Sequence, residues 1–450
     1  MTTTSVTTPK KFELVLDGES LCAEDLVTLS KGATKISLSE EAWKRVSCGR
    51  EVVDNILKDK TRVAYGINTG FGLFSNVIIG PEKLTELQEN LIRSHSSGTG
   101  EPLSPEQTRM LLALRINVLA KGHSGIRVYT LKQLVSAFNA DCLSVVPSKG
   151  TVGASGDLAP LAHLALGMMG EGPMWDKIGE QFVISEASKV LAKNGLKPVK
   201  PEPEIEQPKA EHEITDLDDA KQEIKRLKAL VEQKQKPVEH PAAGMKRTSD
   251  TFYRGGGGFV ISGGNFHGEY PAKVLDYLAI GIHEIASVSE RRIERLVNPT
   301  LSNLPAFLVP EGGLNSGFMI AHCTAAALVS ENKVLTHPSS VDSISTSGAK
   351  EDHVSMGGFA ARKALTVVEH VETVVAIEIL AACQALDLLR PLRTTEALET
   401  VHALVRTRVA RFDKDRVMKP DIDAVLDLVR SGAICEAVAP FLSKPHEPEL

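Results

Sequence analysis

The sequence predicts an all-α protein built from long packed helices, and three observations support this prediction. First, apolar residues recur at helical spacing directly after residues that start helices. Second, four long segments are rich in alanine and leucine, and several are apolar on nearly every side, as in helices buried among other helices. Third, strand patterns are few and short, and Phe12–Leu16 is the clearest of them.

The predicted helices follow one another along most of the chain. Ser39 precedes two glutamates that suit a first helical turn. Pro81 stands where a first helical residue belongs. Ser104 is a predicted N-cap before a proline and a glutamate, and Gly122 can end that helix. The four long segments are Leu158–Met169, Ala272–Leu296, Phe318–Leu335 and Met356–Leu389.

Composition excludes several classes of protein. The 450 residues include 51 basic and 57 acidic side chains, a net charge of −6. A protein that binds nucleic acid mainly through charge shows a basic excess, so we expect no nucleic-acid partner. No run of about 18 apolar residues occurs, so we expect no membrane span. Met1–Lys11 lacks the apolar core of a secretory signal, and the sequence therefore predicts a soluble cytoplasmic protein.

The six cysteines are scattered and include no C-x-x-C pair. They are typical of reduced thiols, mostly in the core, and not of a disulfide framework or a zinc site. Since no other metal-ligand cluster or cofactor motif is visible, the predicted site contains no metal. The cysteines are Cys22, Cys48, Cys142, Cys323, Cys383 and Cys435.

The composition changes between residues 200 and 261. Prolines alternate with glutamates over residues 201–208, which indicates an extended, solvated linker. Apolar residues at heptad spacing over 217–231 then predict one short amphipathic helix. A polar surface insertion is the main interpretation, and a coiled-coil partner site is the alternative. The glycine run Gly255–Gly258 does not predict a phosphate loop, because no Lys-Ser/Thr follows it.

The most unusual stretch is Gly150–Leu158, which contains Ala154, Ser155 and Gly156 between further small residues. A serine hydrolase elbow needs glycine two positions after the serine, whereas Asp157 stands there and no strand is predicted before it. An ordinary N-cap loop before the next helix is a second interpretation.

A third interpretation is chemical. In Ala-Ser-Gly, the glycine nitrogen can attack the alanine carbonyl and close a five-membered ring, because glycine has no Cβ and free torsions. Loss of water from the ring and from the serine then leaves an exocyclic methylidene, which is an electrophile. Protein side chains are nucleophiles, acids and bases, so an electrophile must come from a metal, a cofactor or such a rearrangement.

At this point the chain resembles the histidine ammonia-lyase branch of the aromatic amino acid lyase family. In that family this ring is the 4-methylidene-imidazol-5-one (MIO) electrophile, which would form here from Ala154, Ser155 and Gly156. The resemblance covers about 12–199 and 262–439. Its motifs are Tyr65–Gly72, Ser94–Gly98, Gly150–Pro160, Ser262–Glu269, Ser287–Leu296 and Glu351–Gly357.

The resemblance implies a fold and a division of the chain. The fold is the long-helix bundle of the ammonia-lyase, fumarase and aspartase type with a mixed N-terminal region. Residues 1–199 form an N-terminal lyase region with the MIO loop, and residues 262–450 form a C-terminal helical bundle region. Residues 200–261 replace a core segment of the family.

The resemblance also implies roles for four further residues. Tyr65 matches the tyrosine that removes the substrate β-proton, and His95 matches a residue that contacts the substrate. Glu351 matches an acid near the imidazole of bound histidine, and Phe266 matches an aromatic ring beside the electrophile. Without the resemblance, Tyr65 and Phe266 would be interpreted as core aromatics. Likewise, His95 would be interpreted as a structural helix-end residue and Glu351 as an acid in a first helical turn.

The chain departs from the family in its middle. Residues 200–261 lack the family's Asn-Gly-Thr-Gln, Tyr-x-x-Arg and Asn-Ser-Ala-Thr-Asp-Asn-Pro segments. The missing arginine holds the substrate carboxylate in the family, and a point charge replaces such a bidentate contact poorly. The alternatives to an active enzyme are therefore a catalytically inactive lyase-like scaffold and a splice or engineered variant.

The activity implied by the resemblance is non-oxidative removal of ammonia from L-histidine to give trans-urocanate, the first step of histidine degradation. The family's active sites are shared between subunits of a homotetramer. The resemblance thus implies a homo-oligomer in which Tyr65 can serve the ring of another chain.

Overall fold

A computed structural model describes residues 13–59, 61–154, 156–201, 260–261 and 266–442. These residues group into two compact units. The first unit contains the described residues of Met1–Phe266 together with the short segment Ile344–His353. The second unit contains His267–Ser343 and the described part of Val354–Leu450.

The first unit combines helices with short strands. Its helices α1 to α7 are Ala23–Ser30, Glu40–Lys58, Leu84–His95, Pro105–Ala120, Val128–Asn139, Leu158–Met168 and Ala187–Lys193. Its strands β1 to β7 are Glu13–Leu16, Lys35–Leu38, Thr99–Pro102, Leu143–Ser144, Pro147–Lys149, Pro173–Ile178 and Gln181–Glu186. Strands β1 and β2 pair in parallel, β3 and β5 pair antiparallel, and β4, β6 and β7 form an antiparallel sheet.

Helix α4 begins with a complete capping box. The hydroxyl of Ser104 accepts a hydrogen bond from the backbone N–H of Gln107, and the Gln107 side chain accepts one from the Ser104 N–H. Further along the helix, the buried guanidinium of Arg109 forms an ion pair with Asp141 and donates to three backbone carbonyls. Helix α4 therefore anchors the first unit through both a local cap and long-range polar contacts.

The second unit is built of helices. Helices α8 to α14 are Glu269–Val297, Pro299–Ser302, Met319–Leu335, Gly357–Leu388, Glu396–Arg406, Lys419–Arg430 and Ala433–Val438. Helix α11 packs against α8, α10 and α13 around a core that includes Ile293, Phe318 and Ile377. A buried ion pair joins the Nζ atom of Lys363 to Oδ1 of Asp276 at 3.1 Å.

The structure confirms the predicted fold class. The four long helices begin and end within about three residues of their predicted bounds. Ser39 and Ser104 cap α2 and α4 as predicted, and the strands found among the described residues all lie in the first unit. None of the described helices combines the length and the apolar character that a membrane crossing requires.

Predictions for residues 202–259 and 262–265, including the heptad helix and the glycine run, lie outside the described residues. The same holds for Phe12 of the first strand. The division of the chain at residues 199 and 262 stays a prediction.

Burial differs from the sequence pattern at helix α8 and at the cysteines. Helix α8 is not covered on nearly every side: Tyr270, Val274 and Tyr277 share one face and are 84%, 64% and 69% exposed. Its neighbours α10 and α11 cover only the opposite face, which carries Ala272 and Ala279.

The cysteines are all free, but they are not mostly in the core. Only Cys142 and Cys383 are buried, because spacing along the chain does not reveal which face of an element a thiol occupies. Burial raises the pKa of both thiols to about 11. Neither thiol is therefore suited to act as a nucleophile at neutral pH.

Candidate active site

The loop between β5 and α6 contains the predicted electrophile. Two of its glycines need backbone conformations that other residues rarely adopt: φ is +133° at Gly150 and +87° at Gly156. A Cβ atom at Gly150 would also lie only 3.0 Å from the Cα atom of Gly98. Ala154 is buried, and Ser155 lies outside the described residues.

A side-chain hydrogen bond closes this loop. The hydroxyl of Thr151 donates to Oδ1 of Asp157 at 2.8 Å, and the same hydroxyl accepts the N–H of Gly153 at 3.3 Å. Asp157 occupies the N-cap of α6, but its side chain makes no cap hydrogen bond. The side chain of Asp157 thus stabilises the loop, while its backbone carbonyl accepts the N–H of Leu161 in the first turn of α6. The interpretation of this stretch as an N-cap loop stays an alternative.

The β3–β5 pair brings His95 to this loop. Thr99 pairs with Lys149, so the residues before Thr99 and those after Lys149 leave the pair at the same end. His95 ends α3 four residues before Thr99, and Gly150 begins the loop directly after Lys149. The antiparallel register therefore explains why residues far apart in sequence lie side by side.

The ring of His95 is oriented by local contacts. Its Nδ1 atom lies 2.8 Å from the carbonyl oxygen of Leu91 and 3.1 Å from the hydroxyl oxygen of Ser94. A carbonyl oxygen only accepts, so the contact with Leu91 assigns the proton to Nδ1. In the neutral ring, Nε2 is then a hydrogen-bond acceptor.

His163 also contributes to the candidate site, although the sequence does not predict it. Its Nε2 atom accepts the backbone N–H of Gly98 at 3.1 Å. Burial lowers the pKa of His163, which favours the neutral ring that this contact requires. The only available signal was a lone histidine in the otherwise apolar segment 158–168, and that signal does not identify its partner.

Phe266 lies against the other end of the loop. An added Cβ at Gly156 would lie 3.6 Å from the Cβ of Phe266. Phe266 is 50% exposed, so its interpretation as a core aromatic is wrong. The structure therefore places Phe266 against Gly156, and the β3–β5 register places the segment that follows His95 and the start of the loop at the same end of one strand pair.

Tyr65 belongs to a second group of contacts in the same unit. Its hydroxyl oxygen accepts the backbone N–H of Gly72 at 3.2 Å. Its ring meets that of Phe71 edge-on, with centroids 6.2 Å apart. Because Tyr65 is 45% exposed, it is not a core aromatic either.

Glu351 lies in a short hairpin that packs on the same turn as Tyr65. Thr346 and Glu351 form an antiparallel bridge, and the Thr346 hydroxyl donates to Oε2 of Glu351 at 2.8 Å. Between them, Gly348 approaches Leu73, since an added Cβ would lie 3.4 Å from Leu73 Cδ2. Glu351 precedes α11 by several residues, so its interpretation as a first-turn helix acid is wrong.

The described part of the chain contains no group of three or more His, Cys, Asp or Glu side chains that could hold a metal ion. The side chains placed in these two sets of contacts include the phenol of Tyr65, the imidazole of His95 and the carboxylate of Glu351.

Comparison with known proteins identifies a family whose model matches this chain. The model of the aromatic amino acid lyase family matches residues 21–204 and 229–407. The histidine ammonia-lyases of Bos taurus and Homo sapiens are each 50% identical to this chain over 529 aligned positions, covering 98% of the chain and 79% of the relative. Since that alignment is longer than the 450-residue chain, part of each relative has no counterpart here.

Solved structures agree with these relatives. The crystal structure of histidine ammonia-lyase from Trypanosoma cruzi is 43% identical, with a TM-score of 0.79, and the match covers 98% of this chain and 100% of that one. Phenylalanine ammonia-lyase from Rhodosporidium toruloides is 15% identical with a TM-score of 0.72, covering 97% and 98% of the two chains, which shows a shared fold.

Proposed function

The chain belongs to the aromatic amino acid lyase family and is an ammonia-lyase, and from this premise we propose that it converts L-histidine to trans-urocanate and ammonia, the first step of histidine degradation. The observation that carries the proposal is the loop Gly150–Asp157, which leaves the β3–β5 pair at the end where the segment from His95 enters it. The identity of 50% to mammalian histidine ammonia-lyases supports histidine as the substrate. That identity does not favour the alternative of an inactive scaffold.

We propose that Ala154, Ser155 and Gly156 form an MIO group. The described neighbours fit such a ring: Gly156 has a positive φ, Ala154 is small and buried, and Phe266 packs against Gly156. Once formed, the ring supplies an electrophile that no side chain provides. The Thr151–Asp157 hydrogen bond brings the two ends of the loop together, which favours cyclisation by reducing the conformations that the loop can adopt.

Tyr65 is the proposed base. As a phenolate, its oxygen takes the β-proton of the substrate and becomes the phenol. The electrons of the C–H bond form the new C=C bond, and those of the C–N bond leave with ammonia. The N–H of Gly72 and the ring of Phe71 orient the phenol before the substrate arrives. Such preorganisation lowers the entropic part of the barrier.

His95 and Glu351 recognise the substrate. With its proton on Nδ1, His95 presents an acceptor at Nε2. The carboxylate of Glu351, oriented by Thr346, accepts a hydrogen bond from the imidazole of histidine. A charged acceptor makes a stronger hydrogen bond than a neutral one, and this favours histidine over amino acids with apolar rings.

A homo-oligomer, a tetramer as in the family, completes the proposal. The exposed face of α8, with Tyr270, Val274 and Tyr277, is more apolar than a solvent-facing helix surface usually is. A second copy of the chain can cover it. A cytoplasmic location is consistent with the six free thiols.

The test combines turnover with intact mass. The purified chain is incubated with L-histidine, and urocanate is followed by its ultraviolet absorbance. Ring formation removes two waters, so the mass should be lower by two waters, with the loss mapped to residues 154–156. Ser155→Ala should abolish both signals, whereas Ser30→Ala, a matched change on α1, should keep both. Urocanate production that survives Ser155→Ala contradicts the electrophile assignment, and a full-mass inactive chain favours the scaffold.

A further inference from the structure

A cavity of about 230 Å³ lies inside the first unit between α3, α4, α5 and α6. Its wall is mostly apolar and includes Ile92, Leu112, Leu134, Leu161 and Met168. An apolar cavity of about 150 Å³ can hold a benzene molecule. This cavity is therefore large enough for a small organic ligand.

All the charged side chains on the described wall are cationic. Arg115, Arg127 and Lys200 line the cavity, and no aspartate or glutamate does so among the described residues. Apolar walls combined with charge of one sign suit a ligand that has an apolar body and an anionic end.

Arg115 is the cation whose surroundings are least compensated. It is partly buried in α4, and this burial lowers the pKa of its guanidinium. Within the described residues it makes no hydrogen bond or ion pair. Arg109, earlier on the same helix, is also buried but pairs with Asp141 and with three carbonyl oxygens. A desolvated charge without a partner is unfavourable. An anion bound beside Arg115 would therefore stabilise its guanidinium.

We propose that this cavity is a binding site for a small organic carboxylate. The carboxylate pairs with the guanidinium of Arg115, whose planar donors match its two oxygens. The apolar body packs against Leu134, Leu161 and Met168. Neither the family resemblance nor the proposed reaction requires such a site.

The cavity is separate from the proposed active site. On α6, the residues Leu161, Leu164, Ala165 and Met168 recur at helical spacing and face the cavity. His163 lies on another face of α6, where it contacts Gly98. A ligand in the cavity therefore contacts α6 on the side opposite His163.

The test uses hexanoate as the probe and hexanol as its uncharged counterpart, each titrated into the full chain by isothermal calorimetry. We expect saturable binding of hexanoate at one site per chain and weaker binding of hexanol. Arg115→Met should lower hexanoate affinity about tenfold or more and leave hexanol binding unchanged, since only the charged hydrogen bonds are lost. Ala165→Phe, which fills the cavity, should weaken both ligands. Arg393→Met, an exposed charge change in the second unit, should weaken neither.

Several outcomes overturn the proposal. One is that the unaltered chain does not bind hexanoate. Another is that Arg115→Met or Ala165→Phe binds hexanoate as tightly as the unaltered chain does. The melting temperature without ligand gives an independent check on folding and on the charge. Arg115→Met removes an uncompensated cation, so its melting temperature should equal or exceed that of the unaltered chain. A lower melting temperature for Arg115→Met would mean that the guanidinium has a counter-charge within the protein, and it too would overturn the proposal.

Discussion

The Nε2 atom of His163 lies 3.1 Å from the backbone nitrogen of Gly98 and accepts its N–H. Gly98 follows His95 by three residues, and His163 lies six residues after Asp157, the last residue of the loop Gly150–Asp157. One hydrogen bond thus joins the segment that carries His95 to the helix that follows the loop. Because a backbone N–H only donates, this contact exists only while Nε2 is unprotonated.

Replacing His163 should therefore weaken both the fold and the proposed site. In His163→Leu the N–H of Gly98 loses its acceptor, and the free energy of unfolding should fall by about 1–3 kcal/mol. Urea denaturation measures this loss, and urocanate formation should fall with it because His95 is less firmly held. His163→Gln, whose side-chain oxygen can accept, should recover part of both. His123→Leu, at an exposed histidine, is the control, and an equal loss there would show that the Gly98 contact has no special role.

Stability should also depend on pH through His163. Burial lowers the pKa of this histidine in the folded chain below its ordinary value of 6.5. As the pH falls below 6.5, the unfolded chain takes up the proton first, so folding becomes less favourable until the folded-state pKa is passed. The contribution of His163 to the free energy of unfolding is complete above pH 6.5 and is lost towards lower pH. Urea unfolding between pH 7.5 and 5 should show a steeper decline for the unaltered chain than for His163→Gln, and parallel declines would contradict this origin.

Helix boundaries could be predicted because their signals are local. Ser39 and Ser104 each cap a helix through a donor only three residues away, so the pattern is visible in the sequence itself. The same holds for the apolar spacing that predicted the long helices. The bounds of a helix can therefore be predicted to within a few residues when the residues that determine them lie within one or two helical turns.

The arrangement of the site could not be predicted from local patterns. Gly98 and His163 are 65 positions apart, and their segments are brought together by the β3–β5 register and by the packing of α3 against α6. Glu351 was linked to the substrate only by family resemblance, because nothing nearby in sequence reveals its bridge to Thr346 or the packing of that hairpin on Leu73. Exposure was the least predictable property, as the half-exposed rings of Tyr65 and Phe266 illustrate. An aromatic side chain alone does not reveal whether it packs in a core or lines a site.

Gly156→Ala should impair formation of the electrophile without a steric clash. At φ +87° an alanine is strained by about 1–2 kcal/mol, whereas its Cβ would meet Phe266 at 3.6 Å, an ordinary contact distance. The loop should relax away from its cyclising geometry, and intact mass spectrometry should find a smaller fraction of chains lighter by two waters.

The matched control is Gly195→Ala. Gly195 has φ +71°, and no atom lies within 4 Å of an added Cβ, so the strain is similar but distant from the loop. This variant should lose comparable stability while retaining the full loss of two waters. Complete ring formation in Gly156→Ala would show that the positive φ at this position is not needed for cyclisation.

The bridge between Thr346 and Glu351 should control recognition of the substrate imidazole. Glu351→Gln keeps the shape of the side chain but replaces a charged acceptor with a neutral one, and kcat/KM for L-histidine should fall about tenfold. Thr346→Val removes the hydroxyl that donates to Oε2 at 2.8 Å, so the carboxylate keeps its charge but loses its orientation. Its effect should be smaller and should appear mainly in KM, because it weakens binding of the substrate before the reaction. Thr346→Ser retains the hydroxyl and should behave like the unaltered chain. Steady-state kinetics of the three variants separates charge from orientation, and a Glu351→Gln enzyme with unchanged kcat/KM would remove Glu351 from the binding site.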